Sequence, residues 1–190
     1  TDIAEKVGLD ITAHIKGALW MYANNDMLPD MFLSVTGDSN HLFINKGGND
    51  INDWKFEDAT ERSGVAMPVY SFSTWAFDYD NDGLEDIFLP TFPKDYNTGS
   101  YYTAGQMKGI PHDVEMPVVY RNNGDGTFTN VAEQVRLNKT FMVTMGCNYG
   151  DIDNDGFIDF YAGTGAPDFR AIVPNKMFKN EGGSHFVDVT

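Results

Sequence analysis

Hydrophobic positions in this chain come in short bursts, three to seven residues long, with polar and glycine-rich breaks between them. Trp75-Ala76-Phe77, Ile87-Phe88-Leu89 and Phe160-Tyr161-Ala162 are aromatic or β-branched runs of the kind that forms strands. Reading every such run gives twelve predicted strands in three groups of four. The first group is 17–23, 30–36, 41–46 and 54–59. The second is 69–78, 86–92, 117–122 and 127–131, and the third is 142–150, 159–164, 176–180 and 185–189. Trp, Phe, Tyr or Met recurs at alternating strand positions, so each group has apolar side chains to bury against a neighbour. No run reaches 18 apolar residues, which argues against a membrane-spanning helix.

The breaks repeat as well. Tyr120-Arg121-Asn122-Asn123-Gly124-Asp125-Gly126-Thr127-Phe128 is two strand ends around an Asn/Gly/Asp turn, a strong hairpin signal. A longer version runs from Phe43 to Phe56, and a third runs from Phe178 to Phe186. The first two hairpins lead to a polar residue with Glu three positions later, in Asp58-Ala59-Thr60-Glu61 and Asn130-Val131-Ala132-Glu133; the chain opens the same way at Asp2-Ile3-Ala4-Glu5. This spacing predicts a capping box and one short helical turn. Gly8 and Gly64 then supply a left-handed stop, with Arg136 the exception. The capping positions 2, 58, 130 and 188 are spaced by 56, 72 and 58 residues. Repeats of that length built from four short antiparallel strands predict an all-β chain of β-propeller blades. The predicted organisation is one repeat domain, 1–190, with blades at about 2–57, 58–129 and 130–190.

Between the first two strands of a blade lies the chemistry. Asp78-Tyr79-Asp80-Asn81-Asp82-Gly83-Leu84-Glu85-Asp86 has carboxylates at positions 1, 3, 5 and 9 and glycine at 6. Alternation brings Asp78, Asp80 and Asp82 around one point, and Gly83 permits the turn that returns Asp86 to it. Four carboxylates so close repel in six pairs, each costing ~1 kcal/mol in water at 4 Å and ~4 at an effective dielectric near 20. A hard divalent cation removes the conflict, and all-oxygen donors favour calcium. Position 7, Leu84, is placed to offer its backbone carbonyl. The pattern returns at Asp151-Ile152-Asp153-Asn154-Asp155-Gly156-Phe157-Ile158-Asp159, with Asp151, Asp153, Asp155, Asp159 and the Phe157 carbonyl as candidate ligands. An EF-hand is excluded: its twelfth position needs Glu, and here it is Leu89 or Ala162, with strands rather than helices on the flanks. A third, degenerate copy, Tyr22 to Asp30, retains Asn24, Asp26 and Asp30 but lacks the first carboxylate and the glycine, which argues against metal there.

These motifs resemble the calcium-binding FG-GAP/VCBS repeats, the blades of the integrin α-subunit head and of many bacterial surface proteins. The resemblance rests on the two D-x-D-x-D-G-x-x-D loops and the 120–128 hairpin and extends across the three repeats. It implies that the loop joins the first two strands of a blade, binds Ca²⁺, and takes Asp78, Asp80, Asp82 and Asp86, or Asp151, Asp153, Asp155 and Asp159, as ligands. Family members usually carry more than three repeats, so the end blades are expected to pack against further blades or other chains.

Charge and composition narrow the partners. The net charge of −15 argues against nucleic acid and anionic membrane surfaces. Two Ca²⁺ ions would bring that charge to about −11, so part of the acidity is a metal-site signature. The single Cys147 excludes an internal disulfide and sits in an apolar run, where a buried structural thiol is expected. In a blade, the loops and hairpins above decorate one face. The connections between second and third strands, at 37–40, about 93–116 and about 165–175, lie on the other. The longest holds Tyr96, Tyr101, Tyr102, Gln106, Lys108, His112, Asp113 and Glu115, the composition of a contact surface for a protein or glycan.

No catalytic triad, phosphate-binding glycine loop or H-E-x-x-H occurs, so a non-enzymatic binding or adhesion module is expected. It would act outside the cytoplasm, at an extracellular, cell-surface or periplasmic location, since weak structural calcium loops suit a calcium-rich exterior. The alternatives are a structural subunit of a larger extracytoplasmic assembly, or a fragment of a carbohydrate-active enzyme in which His112, Asp113 and Glu115 supply acid/base groups.

Overall fold

A computed structural model describes residues 2–95, 98–165 and 172–190. Twelve strands form three antiparallel, four-stranded sheets, each a simple meander. The first holds β1 (Ile15–Met21), β2 (Asp30–Val35), β3 (His41–Asn45) and β4 (Phe56–Asp58). The second holds β5 (Trp75–Phe77), β6 (Asp86–Leu89), β7 (Val118–Asn122) and β8 (Phe128–Asn130). The third holds β9 (Thr144–Gly150), β10 (Asp159–Thr164), β11 (Lys176–Asn180) and β12 (Phe186–Asp188). The sheets are blade-like, stack face against face, and do not close into a barrel.

Strand alternation explains the stacking. Phe32, Leu42 and Ile44 on the first sheet meet Ile87, Leu89 and Tyr120 on the second. The opposite face of the second sheet, Trp75, Phe77, Phe88 and Val119, meets Phe160, Phe178 and Phe186 of the third. Successive side chains on one strand therefore fill two different cores, and both faces of the middle sheet read as apolar. Phe88 and Phe160 pack with their rings tilted by 42° at a centroid distance of 5.0 Å, within the range where aromatic pairs add to simple burial.

Three local expectations are corrected. β5 is shorter than the 69–78 run, because Tyr70 and Ser71 turn aside to bridge Thr36 and Thr91. The capping box does not form. Asp2, Asp58 and Asn130 each accept the backbone N–H two residues on, at 2.9–3.0 Å, and neither α1 (Ala4–Val7) nor α2 (Thr60–Ser63) has a side-chain cap at its first position. Short Asx turns do the work, and Arg136 adopts the left-handed conformation (φ 65°) that Gly8 and Gly64 take in the other repeats. Cys147 is half-buried rather than buried, and burial pushes its thiol up, away from the reactive thiolate.

The long connection in the second sheet contains a helix, α3 (Gly99–Met107), and it packs across the blade boundary. Tyr102, Val114 and Met116 lie against Phe141 and Val143, while the Gln106 amide donates to the Lys139 carbonyl (2.6 Å) and accepts from the Phe141 N–H (2.9 Å). Glu115 accepts the N–H groups of Val69 (3.2 Å) and Tyr70 (2.8 Å), at the start of the second sheet. Tyr96 and most of the 165–175 connection lie outside the described residues.

Candidate metal centres

All three loops between first and second strands share one backbone. Asn81 (φ 59°) and Gly83 (φ 87°) are matched by Asn154 (62°) and Gly156 (92°), and by Asn25 (58°) and Met27 (66°). The left-handed residue at position 6 makes the return turn, and methionine adopts it in the degenerate loop at a steric cost that glycine avoids.

Position 1 organises the intact loops. Asp78 accepts the N–H groups of Asp82 (3.1 Å) and Gly83 (2.8 Å), and Asp151 accepts those of Asp155 (3.0 Å) and Gly156 (2.9 Å). Tyr22 offers no such acceptor; its own N–H donates to Glu85 of the neighbouring loop (2.9 Å). Position 5 fixes the peptide of position 7: Asp82 accepts from the Leu84 N–H at 2.9 Å, and Asp155 from the Phe157 N–H at 3.0 Å.

Position 9 has a structural task independent of any ion. Asp86 accepts the Tyr79 N–H (3.2 Å) with one oxygen and the Asn122 N–H (2.8 Å) with the other. Asp159 does the same with Ile152 (2.9 Å) and Asn180 (2.8 Å), and Asp30 with Ala23 (2.9 Å) and Asn45 (2.8 Å). This explains why the degenerate loop keeps Asp30. The partner asparagines, Asn45, Asn122 and Asn180, are fully buried. Their side chains accept the N–H of Gly47, Gly124 and Gly183 and donate to the carbonyls of Pro29, Glu85 and Ile158. Reading the hairpins as turn chemistry misses this Asp–Asn latch, although an asparagine in phase with every loop is visible in the sequence.

The fold brings oxygens of Asp78, Asp80 and Asp86 within 4.8 Å of one another, and likewise Asp151, Asp153 and Asp159. Asp82 and Asp155 are not in these clusters. Asp80 Oδ2 and Asp82 Oδ2 accept from Arg121, at 2.7 and 2.6 Å. Lys179 pairs with Asp153 at 2.7 Å and stands 3.9 Å from Asp155. Asp80 Oδ1 is buried and has no donor. Burial pushes the Asp86 carboxyl up to about 7, against the pull of its two N–H partners, and Asp80 and Asp82 add to the rise. An orphaned buried oxygen among all-oxygen donors, in a site that resists holding its own negative charge, fits a hard divalent cation. Asp78, Asp80 and Asp86 would hold it in one loop, and Asp151, Asp153 and Asp159 in the other. In the degenerate loop, Asp26 accepts instead from the Asn24 amide (2.8 Å) and the Leu28 N–H (2.8 Å).

Loops and hairpins do share one face. A Cβ on Gly183 would touch Asp80, Gly126 lies against Asn24, and the Asn81 amide donates to the Gly156 carbonyl at 2.9 Å.

Residues 110–162 match the model of a family described as an FG-GAP-like repeat. The matched stretch includes the 120–128 hairpin and the whole 151–159 loop, so that part of the chain is similar to an FG-GAP-like repeat. No curated protein matches the chain.

Proposed function

Starting from a chain part of which is similar to an FG-GAP-like repeat, we propose that it is a calcium-stabilised, blade-built binding or adhesion module that works without catalysis outside the cytoplasm. The carrying observation is the pair of three-carboxylate clusters, with Asp80 Oδ1 buried and undonated in one of them. When bound, Ca²⁺ supplies positive charge at two turns that otherwise hold like charges together. Asp78 and Asp151 shape those turns, and Asp86 and Asp159 tie them to the third strand of their sheets. The role is structural, and the Leu84 and Phe157 carbonyls complete the ligand sets. A need for calcium suits an extracellular, cell-surface or periplasmic setting. No helix among the described residues is long and apolar enough to cross a membrane.

Recognition belongs to the insertion face. Tyr102 and His112 pack on Phe141, leaving Tyr101, Met107 and Ile110 exposed at the tip for a protein or glycan. A hollow beside the insertion is lined by Tyr70, Lys94, Tyr102, Asp113 and Glu115. Glu115 holds two backbone N–H groups there, which supports a latch over an acid/base role. A second reading, a subunit of a larger assembly, draws support from the uncovered Tyr161 and Val187 on the third sheet and Ile152 in its first loop.

Calorimetric titration of chelator-treated protein with CaCl₂, paired with thermal melts, tests the proposal. Two equivalents of bound calcium and a melting temperature that falls on chelation are expected. No bound calcium, with melting indifferent to chelator, would sink it.

A further inference from the structure

One strand position differs between the loops in a way that follows their charge. In each sheet, the residue before the latch asparagine lies on the third strand, beside the loop. In the second sheet it is Arg121, and in the third it is Lys179; both reach the carboxylates at positions 3 and 5. In the first sheet the same register position is Ile44, 1% exposed and part of the core against the second sheet. The equivalence is fixed by geometry, since Asn45, Asn122 and Asn180 all donate their N–H to the position-9 aspartate. A basic side chain therefore stands where four loop carboxylates do, and an apolar one where the loop has only Asp26 and Asp30.

The second loop shows what that side chain does. Arg121 takes one oxygen of Asp80 and leaves the other, Oδ1, buried without a donor. In Asp82, Oδ2 accepts from Arg121 and Oδ1 from the Leu84 N–H. The three-oxygen cluster contains Asp78, Asp80 and Asp86 and omits Asp82, whose carboxylate is drawn to the guanidinium instead. Arg121 and a cation can both be satisfied by Asp80, one on each oxygen, whereas the Asp82 carboxylate is held by Arg121 outside the cluster.

We propose that Arg121 is a built-in counter-cation that holds the position-5 carboxylate away from the metal, keeping the loop folded without calcium and limiting how tightly calcium binds, while Lys179, bonded to Asp153 and also near Glu181, offsets charge in the other loop without holding Asp155. The inference rests on the calcium reading above. A guanidinium spanning Asp80 and Asp82 offsets part of their repulsion in the empty loop. It also withholds one ligand and leaves one more positive charge beside the ion, and both lower affinity. Ligand charge count and site rigidity together tune affinity in all-oxygen calcium loops, so this one side chain shifts the concentration at which the loop fills.

The test compares wild type with Arg121→Gln, with and without Asp82→Asn, by calorimetric titration with CaCl₂ and by thermal melts in chelator and in saturating calcium. In Arg121→Gln, the affinity of one site should tighten roughly ten-fold, as one carboxylate is freed. The chelated protein should melt lower, and the calcium-loaded protein should lose much less. Asp82→Asn should change affinity little in wild type and reverse most of the gain in Arg121→Gln. A merely structural arginine would lower both melts equally and leave affinity unchanged. That result, or weaker calcium binding in Arg121→Gln, overturns the inference and leaves the calcium reading standing. Wild type that binds no calcium overturns both.

Discussion

The loops at 78–86 and 151–159 have the same backbone, the same hydrogen bonds from position 1 and the same latch at position 9, yet they occupy different surroundings. Tyr79, at position 2 of the first, is 2% exposed; Ile152, at position 2 of the second, is 62% exposed. Phe186 and Phe77 flank the Tyr79 ring, and the Asn180 amide donates to the Tyr79 carbonyl at 2.8 Å. All but Phe77 come from the third sheet, and among the described residues no fourth sheet does the same for Ile152. Ala23, at position 2 of the degenerate loop, is fully buried under the second sheet. Position 2 is thus a plug between neighbouring sheets, and a loop's surroundings come largely from the repeat that follows it. Sequence identity within the nine residues says little about how strongly each loop is held.

The widest gap should appear on truncating the plug. Tyr79→Ala should cost about 3–5 kcal/mol through lost burial and a cavity between two sheets. Ile152→Ala should stay within about 0.5 kcal/mol, as an exposed substitution does. Urea unfolding of the two variants measures this, and equal losses would mean that Ile152 is covered in solution.

Next in size is the latch. Asp86→Ala strands the N–H groups of Tyr79 and Asn122 in the interior, at about 2–3 kcal/mol. In Asp159→Ala, the Ile152 N–H lies in an exposed loop that water can reach, so about half that loss is expected. Matching midpoints would show that the following sheet does not matter to the latch.

The pH dependence sharpens the comparison. With burial raising Asp86 to about 7 from an ordinary value of 3.8, the folded protein holds this proton more tightly than the unfolded chain. The associated stability is complete below about pH 4 and is lost as pH rises towards 7. Melts in chelator should therefore fall between pH 4.5 and 7.5, and saturating calcium, which favours the ionised carboxylate, should flatten the curve. Asp86→Asn should flatten it without calcium; a slope unchanged in that variant would assign it to other groups.

The smallest effect concerns Met27, which is 85% exposed at φ 66°. Met27→Gly should stabilise the protein by about 0.5 kcal/mol, the relief of left-handed strain less the greater freedom of glycine in the unfolded chain. A lower melting temperature would indicate a contact made by the methionine.

Much of this was legible in the sequence, because the repeat writes the same message three times. Strand positions, sheet grouping and both acidic loops follow from short aromatic runs and the D-x-D-x-D-G-x-x-D spacing. The capping box failed for a physical reason: an aspartate or asparagine closes an Asx turn on its own, so Glu5, Glu61 and Glu133 are not needed to satisfy the first N–H groups. α3 stayed hidden because Gly99, Tyr101, Tyr102, Thr103 and Gly105 are weak helix formers, and packing on Phe141 supplies what propensity does not. The part in the site of Arg121 and Lys179 was invisible for another reason. It depends on which strand residue faces the loop, and strand register is not printed in a motif.

The insertion has a mechanical side. Through Glu115 it grips the chain where it enters the second sheet, and through Gln106 it grips the chain where it enters the third, so a single segment spans both hinges of the stack. Sheets joined only by their faces can peel away one at a time, because each answers to its immediate neighbour. With both hinges tied to one strap, opening either joint pulls on the other, and a tensile load along the chain is shared between two interfaces instead of concentrating on the weaker. The stack should therefore yield as a unit.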